Sequence, residues 1–263
     1  MKRLVYFAVD SNFLELLYYN LQWMRKVDDT DVCIIAPHGL RIRPPSNNVY
    51  VFCPHHFDLW FTAKLRIVEW PQFINYDTFI YLDADAFAVR SLKDVFQTIE
   101  ASPAYIHAVM EKESTDGAQK FFRISSHDYA DQRGYNFGTF GFMRSAHPLI
   151  LEFLTFVDTN RLNAKIDQAL FNEFFAGAKN IMRHSLQKYV YLYNKHGLYN
   201  MVNGIILEEA CIVHFLGNYR SDRGAAEKYR AASRIIPLLV KHDRPNRLSV
   251  IQRKSFSWLQ KRF

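Results

Sequence analysis

A run of apolar residues leads directly into two carboxylates in the segment Thr78-Phe79-Ile80-Tyr81-Leu82-Asp83-Ala84-Asp85. An apolar run of this length, ended by charged residues, is typical of a strand that is buried on both faces of a sheet. Residues that follow such a strand lie at its carboxyl edge, where open α/β sheets bind ligands. Because two oxygen ligands one residue apart can jointly hold a divalent cation, we predict a metal or phosphate role for Asp83 and Asp85, with a solvated turn as the alternative.

The same Asp-x-Asp spacing occurs in Asp29-Thr30-Asp31, within a polar loop that precedes a strand. We assign this second copy no function, because nothing in its surroundings predicts a ligand-binding edge. A tripeptide of this kind is a weak motif by itself. The prediction for Asp83 and Asp85 therefore depends on the strand in front of them.

Apolar, strand-like runs alternate with helix-like segments along the chain, which predicts an α/β fold with a mostly parallel central sheet. The predicted strands cover residues 4–9, 32–36, 49–53, 78–82, 105–110, 189–193 and 210–215. The predicted helices cover residues 13–24, 59–68, 147–157 and 227–240, with two more that begin at residues 91 and 167. No linker or internal repeat precedes residue 240, so we expect one domain over residues 1–240.

Composition is compatible with one such domain, because 49% of the 263 residues are apolar and can form a large core. The aromatic share of 16% fits either core packing or sugar stacking, and composition does not separate the two. Three cysteines lie in apolar runs without any CxxC pattern, which predicts reduced thiols in a reducing compartment. The first apolar run, residues 4–9, is too short for a signal peptide, so we expect a cytoplasmic location.

Residues 241–263 form a basic tail that holds seven lysines and arginines against one aspartate, a net +6 of the chain's +7. The rest of the chain is close to neutral, which argues against a nucleic-acid partner. The tail also carries Phe256, Trp258 and Phe263. Basic residues interleaved with aromatic ones predict either peripheral contact with an anionic membrane or packing of the tail against the body of the protein.

Four further features accompany the carboxylate strand. Lys64 precedes it, and the segments Asn136-Phe137-Gly138, Asp167-Gln168 and Ile212-Val213-His214-Phe215-Leu216-Gly217 follow it. Gly138 lacks a side chain, which suits close approach of the backbone to a ligand. In order and spacing, over about residues 4–217, these features resemble the glycogenin-like branch of family 8 glycosyltransferases. That resemblance implies a GT-A fold and a retaining, manganese-dependent enzyme that uses a nucleotide-sugar donor.

The resemblance also implies roles for individual residues. The metal ligands that it implies are Asp83, Asp85 and His214, with manganese as the ion and magnesium as an alternative. The residues that it implies for binding a UDP-sugar donor are Ala8, Val9, Asp10, Phe13, Lys64, Asp83, Ala84, Gly138, Gly217 and Arg220. The residues that it implies beside the reacting sugar are Asn136, Asp167 and Gln168. The acceptor that it implies is a hydroxyl of a glycan, a glycolipid or a protein.

The chain departs from the family pattern at two points. Arg220 stands where the family has a lysine that contacts the diphosphate, and Phe137 stands where a small residue is common. Two other functions remain open from the residues alone. The first is a phosphatase with an Asp-x-Asp nucleophile, although that strand normally opens its domain and here it is the fourth. The second is an inactive, carbohydrate-binding protein of the same fold.

Overall fold

The structure, a computed structural model, describes residues 1–59, 62–112, 133–160, 167–175, 182–183, 185–193, 205, 207–216 and 222–241. Within these residues the strands, in chain order, are β1 (Arg3–Ala8), β2 (Asp31–Ile35), β3 (Val49–Phe52), β4 (Thr78–Leu82), β5 (Ala86–Ala88), β6 (Ile106–Lys112), β7 (Arg133–Met143), β8 (Met182–Arg183), β9 (Val190–Tyr193) and β10 (Ile212–Phe215). The α-helices of the same residues are α1 (Leu14–Met24), α2 (Lys93–Glu100), α3 (His147–Asn160), α4 (Asp167–Phe175) and α5 (Asp222–Lys241).

The larger sheet has seven strands in the order β3-β2-β1-β4-β7-β6-β8, so the predicted carboxylate strand lies at its centre. β7 runs antiparallel to its neighbours β4 and β6, and the remaining pairs are parallel. The prediction of a mostly parallel central sheet is therefore confirmed. Every residue of β4 is buried, as expected for a strand covered on both faces.

A smaller sheet has three strands in the order β5-β10-β9. β5 begins at Ala86, so Asp83-Ala84-Asp85 is the connection between the central strand of the large sheet and an edge strand of the small one. The strands predicted near residues 189–193 and 210–215 exist, but they form this second sheet. β10 is its middle strand and pairs His214 with Ala86.

The core lies on both faces of the large sheet. Along β1, Leu4 and Tyr6 pack on one face while Val5 and Phe7 pack on the other, which is the period of two expected for a strand. The largest fully buried side chains of the described residues are all aromatic, for example Phe140. In the described part of the chain, the high aromatic content therefore supplies much of the core.

The predicted helix over residues 59–68 is wrong in type. The described residues of that segment form the 3₁₀ helix Ala63–Glu69, in which Leu65 N donates to Thr62 O and Trp70 N donates to Ile67 O. Five of the seven residues in the 3₁₀ helix are buried, so the segment does not present the single apolar face that an amphipathic α-helix needs. Its lysine, Lys64, is one of the buried residues.

The remaining predictions concern the redox state of the cysteines and contact with a membrane. Cys33, Cys53 and Cys211 all lie in the described residues and form no disulfide with one another. Among the helices that the structure describes, none combines the length and apolarity required to cross a membrane. The basic tail from residue 242 onward lies outside the described residues, so its predicted membrane contact remains a prediction.

Candidate active site

The Asp-x-Asp turn is held in place through its backbone. Asp83 N donates to the carbonyl oxygen of Gly138 on β7 at 2.8 Å, and Ala86 N donates to Asp83 O at 2.9 Å. From α1, the amide of Asn20 donates to the carbonyl oxygens of Ala84 and Ala86 at 3.1 and 2.8 Å. These bonds fix the directions in which the two carboxylates leave the turn.

Asp83, Asp85 and His214 converge at this turn. One potential ligand atom from each residue lies within 4.8 Å of the other two, and this is the single cluster of this kind in the described part of the chain. Nε2 of His214 lies 3.3 Å from Asp85 Oδ1 and 3.9 Å from Asp83 Oδ2. Asp85 and His214 are each 4% exposed, whereas the side chain of Asp83 is 35% exposed and opens the group to the outside.

Two observations fit a cation at this group. Asp85 Oδ1 is buried without a hydrogen-bond donor among the described residues, and a buried acceptor of this kind is uncommon unless an ion or water completes it. The second observation is the space left by Gly138. A Cβ atom at that position would lie 2.3 Å from Asp83 Oδ2 and 2.4 Å from His214 Cε1. Gly138 thus leaves room for the side chains of two predicted metal ligands, and its predicted contact with a ligand remains a prediction.

Lys64 enters the site from the 3₁₀ helix. Its Nζ lies 2.7 Å from Asp167 Oδ2 and 3.6 Å from Asp83 Oδ1, and it donates to Phe137 O at 3.2 Å. Burial lowers the pKa of Lys64, but the charges of Asp167 and Asp83 outweigh burial and raise it above its ordinary value. Burial raises the pKa of Asp167, and the Lys64 ammonium offsets part of that rise. Lys64 is thus a buried cation between two predicted site carboxylates.

The residues predicted beside the reacting sugar also lie together. Gly138 N donates to Asn136 Oδ1 at 2.9 Å, and Phe137 N donates to Gln168 Oε1 at 3.3 Å. Asp167 opens α4 and accepts a hydrogen bond from Gln168 N at 2.8 Å. The amino end of α4 is therefore joined to β7 directly beside the Asp-x-Asp turn.

Four of the predicted donor-binding residues, Ala8, Val9, Asp10 and Phe13, lie at or just after the end of β1, which is the parallel neighbour of β4. The sheet register pairs Tyr6 with Tyr81, so Ala8 and Asp83 each lie two residues further along their chains. The side chains of Ala8 and Val9 are buried in the core, while Asp10 and Phe13 are half-buried at its margin. These four residues thus lie at the same edge of the sheet as the carboxylates.

Two predicted donor-binding residues, Gly217 and Arg220, lie outside the described residues, as do Asn218 and Ser221. β10 ends at Phe215, and the described residues stop at Leu216 and resume at Asp222. Their roles therefore remain predictions.

Lys228 was not predicted as a site residue. It lies on α5, its side chain is 12% exposed, and its ammonium makes an ion pair with Asp85 Oδ2. Burial alone would raise the pKa of Asp85, but Lys228 and His214 outweigh it and hold that pKa well below its ordinary range. The sequence does contain a signal. Lys228 occupies the apolar face of α5 one turn before Ala232, which is fully buried, and a charge at such a position needs a partner.

Comparison with known proteins supports the resemblance drawn from the motifs. The sequence profile of the family described as Glycosyl transferase family 8 matches residues 62–221, which includes Lys64, the Asp-x-Asp turn, β7, the start of α4 and His214, but not residues 8–20 or α5. No curated protein sequence matches the chain significantly.

Solved structures with the same fold include three glycosyltransferases. The galactosyltransferase LgtC, in complex with donor and acceptor sugar analogs, has a TM-score of 0.59 at 14% identity and covers 87% of this chain and 95% of its own. The apo form of the glycosyltransferase GlyE of Streptococcus pneumoniae has a TM-score of 0.56 at 16% identity, covering 99% of this chain and 64% of its own. Mouse xyloside xylosyltransferase 1 has a TM-score of 0.53 at 10% identity, covering 82% of this chain and 98% of its own. The predicted GT-A fold is confirmed.

Proposed function

The chain belongs to glycosyltransferase family 8, and on that premise we propose that it transfers a hexose from a UDP-sugar to a hydroxyl acceptor with retention of anomeric configuration. The observation that carries this proposal is the convergence of Asp83, Asp85 and His214 with the buried Lys64 at the carboxyl edge of the central strand. This edge is where open α/β sheets bind nucleotides. The acceptor class is a glycan, a glycolipid or a protein hydroxyl.

A bound divalent cation would be held by Asp83, Asp85 and His214, and as a Lewis acid it would stabilise the charge that develops on the leaving diphosphate. Two carboxylates and an imidazole form a mixed donor set that suits manganese better than magnesium, which prefers oxygen ligands and water. The partly exposed carboxylate of Asp83 faces the side from which a diphosphate can approach. Lys64 adds a fixed positive charge beside it.

The sugar side of the proposal rests on Asp167, Gln168 and Asn136. Asp167 and Asp83 both face Lys64, so a sugar on a diphosphate at Asp83 lies next to the amino end of α4. In a retaining transfer the acceptor oxygen attacks the face that the diphosphate leaves. An oxygen of the leaving phosphate can then accept the acceptor's proton, and the carboxylate of Asp167 stabilises positive charge on the sugar ring.

Thermal unfolding with a panel of nucleotide sugars tests the donor class. A ligand that binds only the folded state raises the melting temperature, so a UDP-hexose should stabilise the protein when manganese is present and much less when it is chelated. Stabilisation by a non-uridine nucleotide sugar would contradict the proposed donor. Stabilisation without turnover on any hydroxyl acceptor would favour the inactive, carbohydrate-binding alternative.

The stereochemical part has its own test. Proton NMR of the first-formed product from an α-linked donor should show an α-linkage, and a β-linked product would contradict retention.

The phosphatase alternative is tested with a phosphomonoester. Incubated under the same conditions, it should remain intact, because the site is proposed to act on the sugar–oxygen bond. Release of phosphate from it, lost in Asp83→Asn, would favour the Asp-x-Asp phosphatase instead.

A further inference from the structure

A lysine ammonium is bound to one of the proposed metal ligands. Lys228 on α5 makes an ion pair with Asp85 Oδ2, and both side chains are largely buried, at 12% and 5% exposure. The other oxygen of the same carboxylate, Oδ1, faces Nε2 of His214 at 3.3 Å. One oxygen of Asp85 therefore faces the proposed metal cluster, and the other pairs with the ammonium of Lys228.

The helix that carries Lys228 is anchored next to this site. Tyr229 packs its ring against Tyr19 of α1 at a centroid distance of 4.9 Å, and Ala232 and Ile236 of α5 are fully buried. Lys228 lies one turn before Ala232 on the same face of α5, so packing directs its side chain inward. Because the backbone is held by these contacts, a change of partner for Lys228 requires only its flexible side chain to move.

A divalent cation and this ammonium compete for Asp85. Each gains from the negative charge of the carboxylate, and two cations on the same buried group repel each other strongly. The second proposed ligand carboxylate, Asp83, already lies 3.6 Å from the ammonium of Lys64. Both carboxylates of the cluster are thus neutralised in part by lysines before any metal binds.

We propose that Lys228 is a displaceable cation that occupies Asp85 until metal and diphosphate bind together. This inference rests on the proposed function, because it requires the metal site at Asp83, Asp85 and His214. Binding of the metal displaces the ammonium from Asp85, and the donor's diphosphate supplies a new anionic partner for it. Metal alone then binds weakly, metal and nucleotide strengthen each other's binding, and by linkage the strengthening is reciprocal.

Titration of the full chain with Mn²⁺ tests the displacement directly, with the electron paramagnetic resonance signal of free aqueous Mn²⁺ as the readout. Lys228→Met should bind Mn²⁺ alone about tenfold more tightly than the wild type, equivalent to about 1.4 kcal/mol. Saturating UDP should tighten Mn²⁺ binding strongly in the wild type and less in Lys228→Met. Lys228→Arg, which keeps the charge, should behave like the wild type.

A matched control comes from the same helix. Arg230 is exposed and its Nε donates to Ala226 O of the same helix at 3.3 Å, so Arg230→Met removes the same charge two residues away. Its affinity for Mn²⁺ should remain that of the wild type. Equal affinities in Lys228→Met and the wild type would overturn the inference, and so would an equal gain in Arg230→Met, because the effect would then be one of overall charge.

Failure of the inference is distinguishable from failure of the proposed metal site. If Asp85→Asn binds Mn²⁺ as the wild type does, the metal site itself is wrong. If Asp85→Asn loses binding while Lys228→Met gains none, the site stands and only the role of Lys228 fails. Melting temperatures in chelator show whether each variant folds, and Lys228→Gln, which is neutral but can donate to Asp85, replaces Lys228→Met if the latter does not fold.

Discussion

The chain contains two Asp-x-Asp tripeptides, and the structure places them at opposite edges of the same sheet. Asp29-Thr30-Asp31 leads into β2, whereas Asp83-Ala84-Asp85 follows β4, and both strands run parallel to β1 between them. Each tripeptide even has the same kinds of neighbour. Tyrosine hydroxyls donate to Asp31 and Asp83, and asparagine amides donate to backbone carbonyls of both turns.

The difference between the two copies lies in what else meets them. Asp29 is exposed, whereas Asp85 is buried against His214 and Lys228, which come from distant parts of the chain. The amino edge of β2 receives no such convergence among the described residues. The comparison shows that the chemical role of an Asp-x-Asp tripeptide depends on which end of a strand it occupies and on which other residues lie beside it.

The largest effect is expected when the carboxylates themselves are exchanged for amides. Asp85→Asn should lower the rate of sugar transfer by more than about a hundredfold, because even partners of metal ligands typically cost 10–100-fold. The matched change Asp31→Asn should leave the rate within about twofold. Initial rates with saturating donor and manganese measure both.

The Asp85→Asn variant needs a control for folding, since it leaves the buried Lys228 ammonium without its anion. Combining it with Lys228→Met removes that unpaired charge. The double variant should regain stability but no activity. Equal losses of transfer in Asp31→Asn and Asp85→Asn would remove the distinction between the two turns.

A smaller loss is expected from filling the space beside the carboxylates. In Gly138→Ala the new Cβ would displace Asp83 and His214, and we expect transfer to fall about a hundredfold, as for a misplacement of about 1 Å. Gly141→Ala on the same strand meets the flexible end of Ile99 instead, at 2.4 Å. It should lower the melting temperature while sparing activity. Near-normal transfer by Gly138→Ala would contradict the close packing of the site.

The two tyrosines give a more moderate contrast. Tyr81 donates to Asp83 Oδ1 at 2.5 Å, and Tyr76 donates to Asp31 Oδ2 at 2.8 Å. Tyr81→Phe should weaken manganese-dependent transfer about tenfold, because it frees Asp83, a proposed metal ligand, from its orienting bond. Tyr76→Phe should cost only about 1 kcal/mol of unfolding free energy. Calorimetry and manganese titrations of activity separate the effects, and identical profiles for the two variants would count against the account.

The smallest effect on catalysis is expected from the two asparagines. Asn20→Ala removes donors from the carbonyls of Ala84 and Ala86 and should destabilise the protein by about 1–3 kcal/mol, with a few-fold loss of transfer. Asn48 donates to Asp29 O in an exposed loop, so Asn48→Ala should cost about 0.5 kcal/mol or less. Chemical denaturation compares them, and a larger cost for Asn48→Ala would reverse the ranking.

The Asp-x-Asp turn follows from local sequence pattern. The run ending at Asp83 predicts a buried strand with carboxylates at its carboxyl edge, and β4 has that form because a strand of a mostly parallel sheet is covered on both faces. Lys64, Asp167 and His214 are identified through the family resemblance, and the structure places them beside this turn.

Two features depend on packing that the pattern does not encode. The helix over residues 227–240 is evident, but the direction of Lys228 depends on how Tyr229 and Ala232 meet α1 and β10. The assignment of β5, β9 and β10 to a separate sheet depends on the turn at Asp83, which ends β4 and redirects the chain. In both cases long-range contacts, rather than local periodicity, set the outcome.

The most direct measurement is X-ray diffraction at the manganese absorption edge from crystals grown with Mn²⁺ and UDP. The account predicts an anomalous peak for a manganese ion within bonding distance of the carboxylates of Asp83 and Asp85 and of Nε2 of His214, with no peak at Asp29 or Asp31. Crystals that contain manganese elsewhere but show none at the first three residues would contradict it.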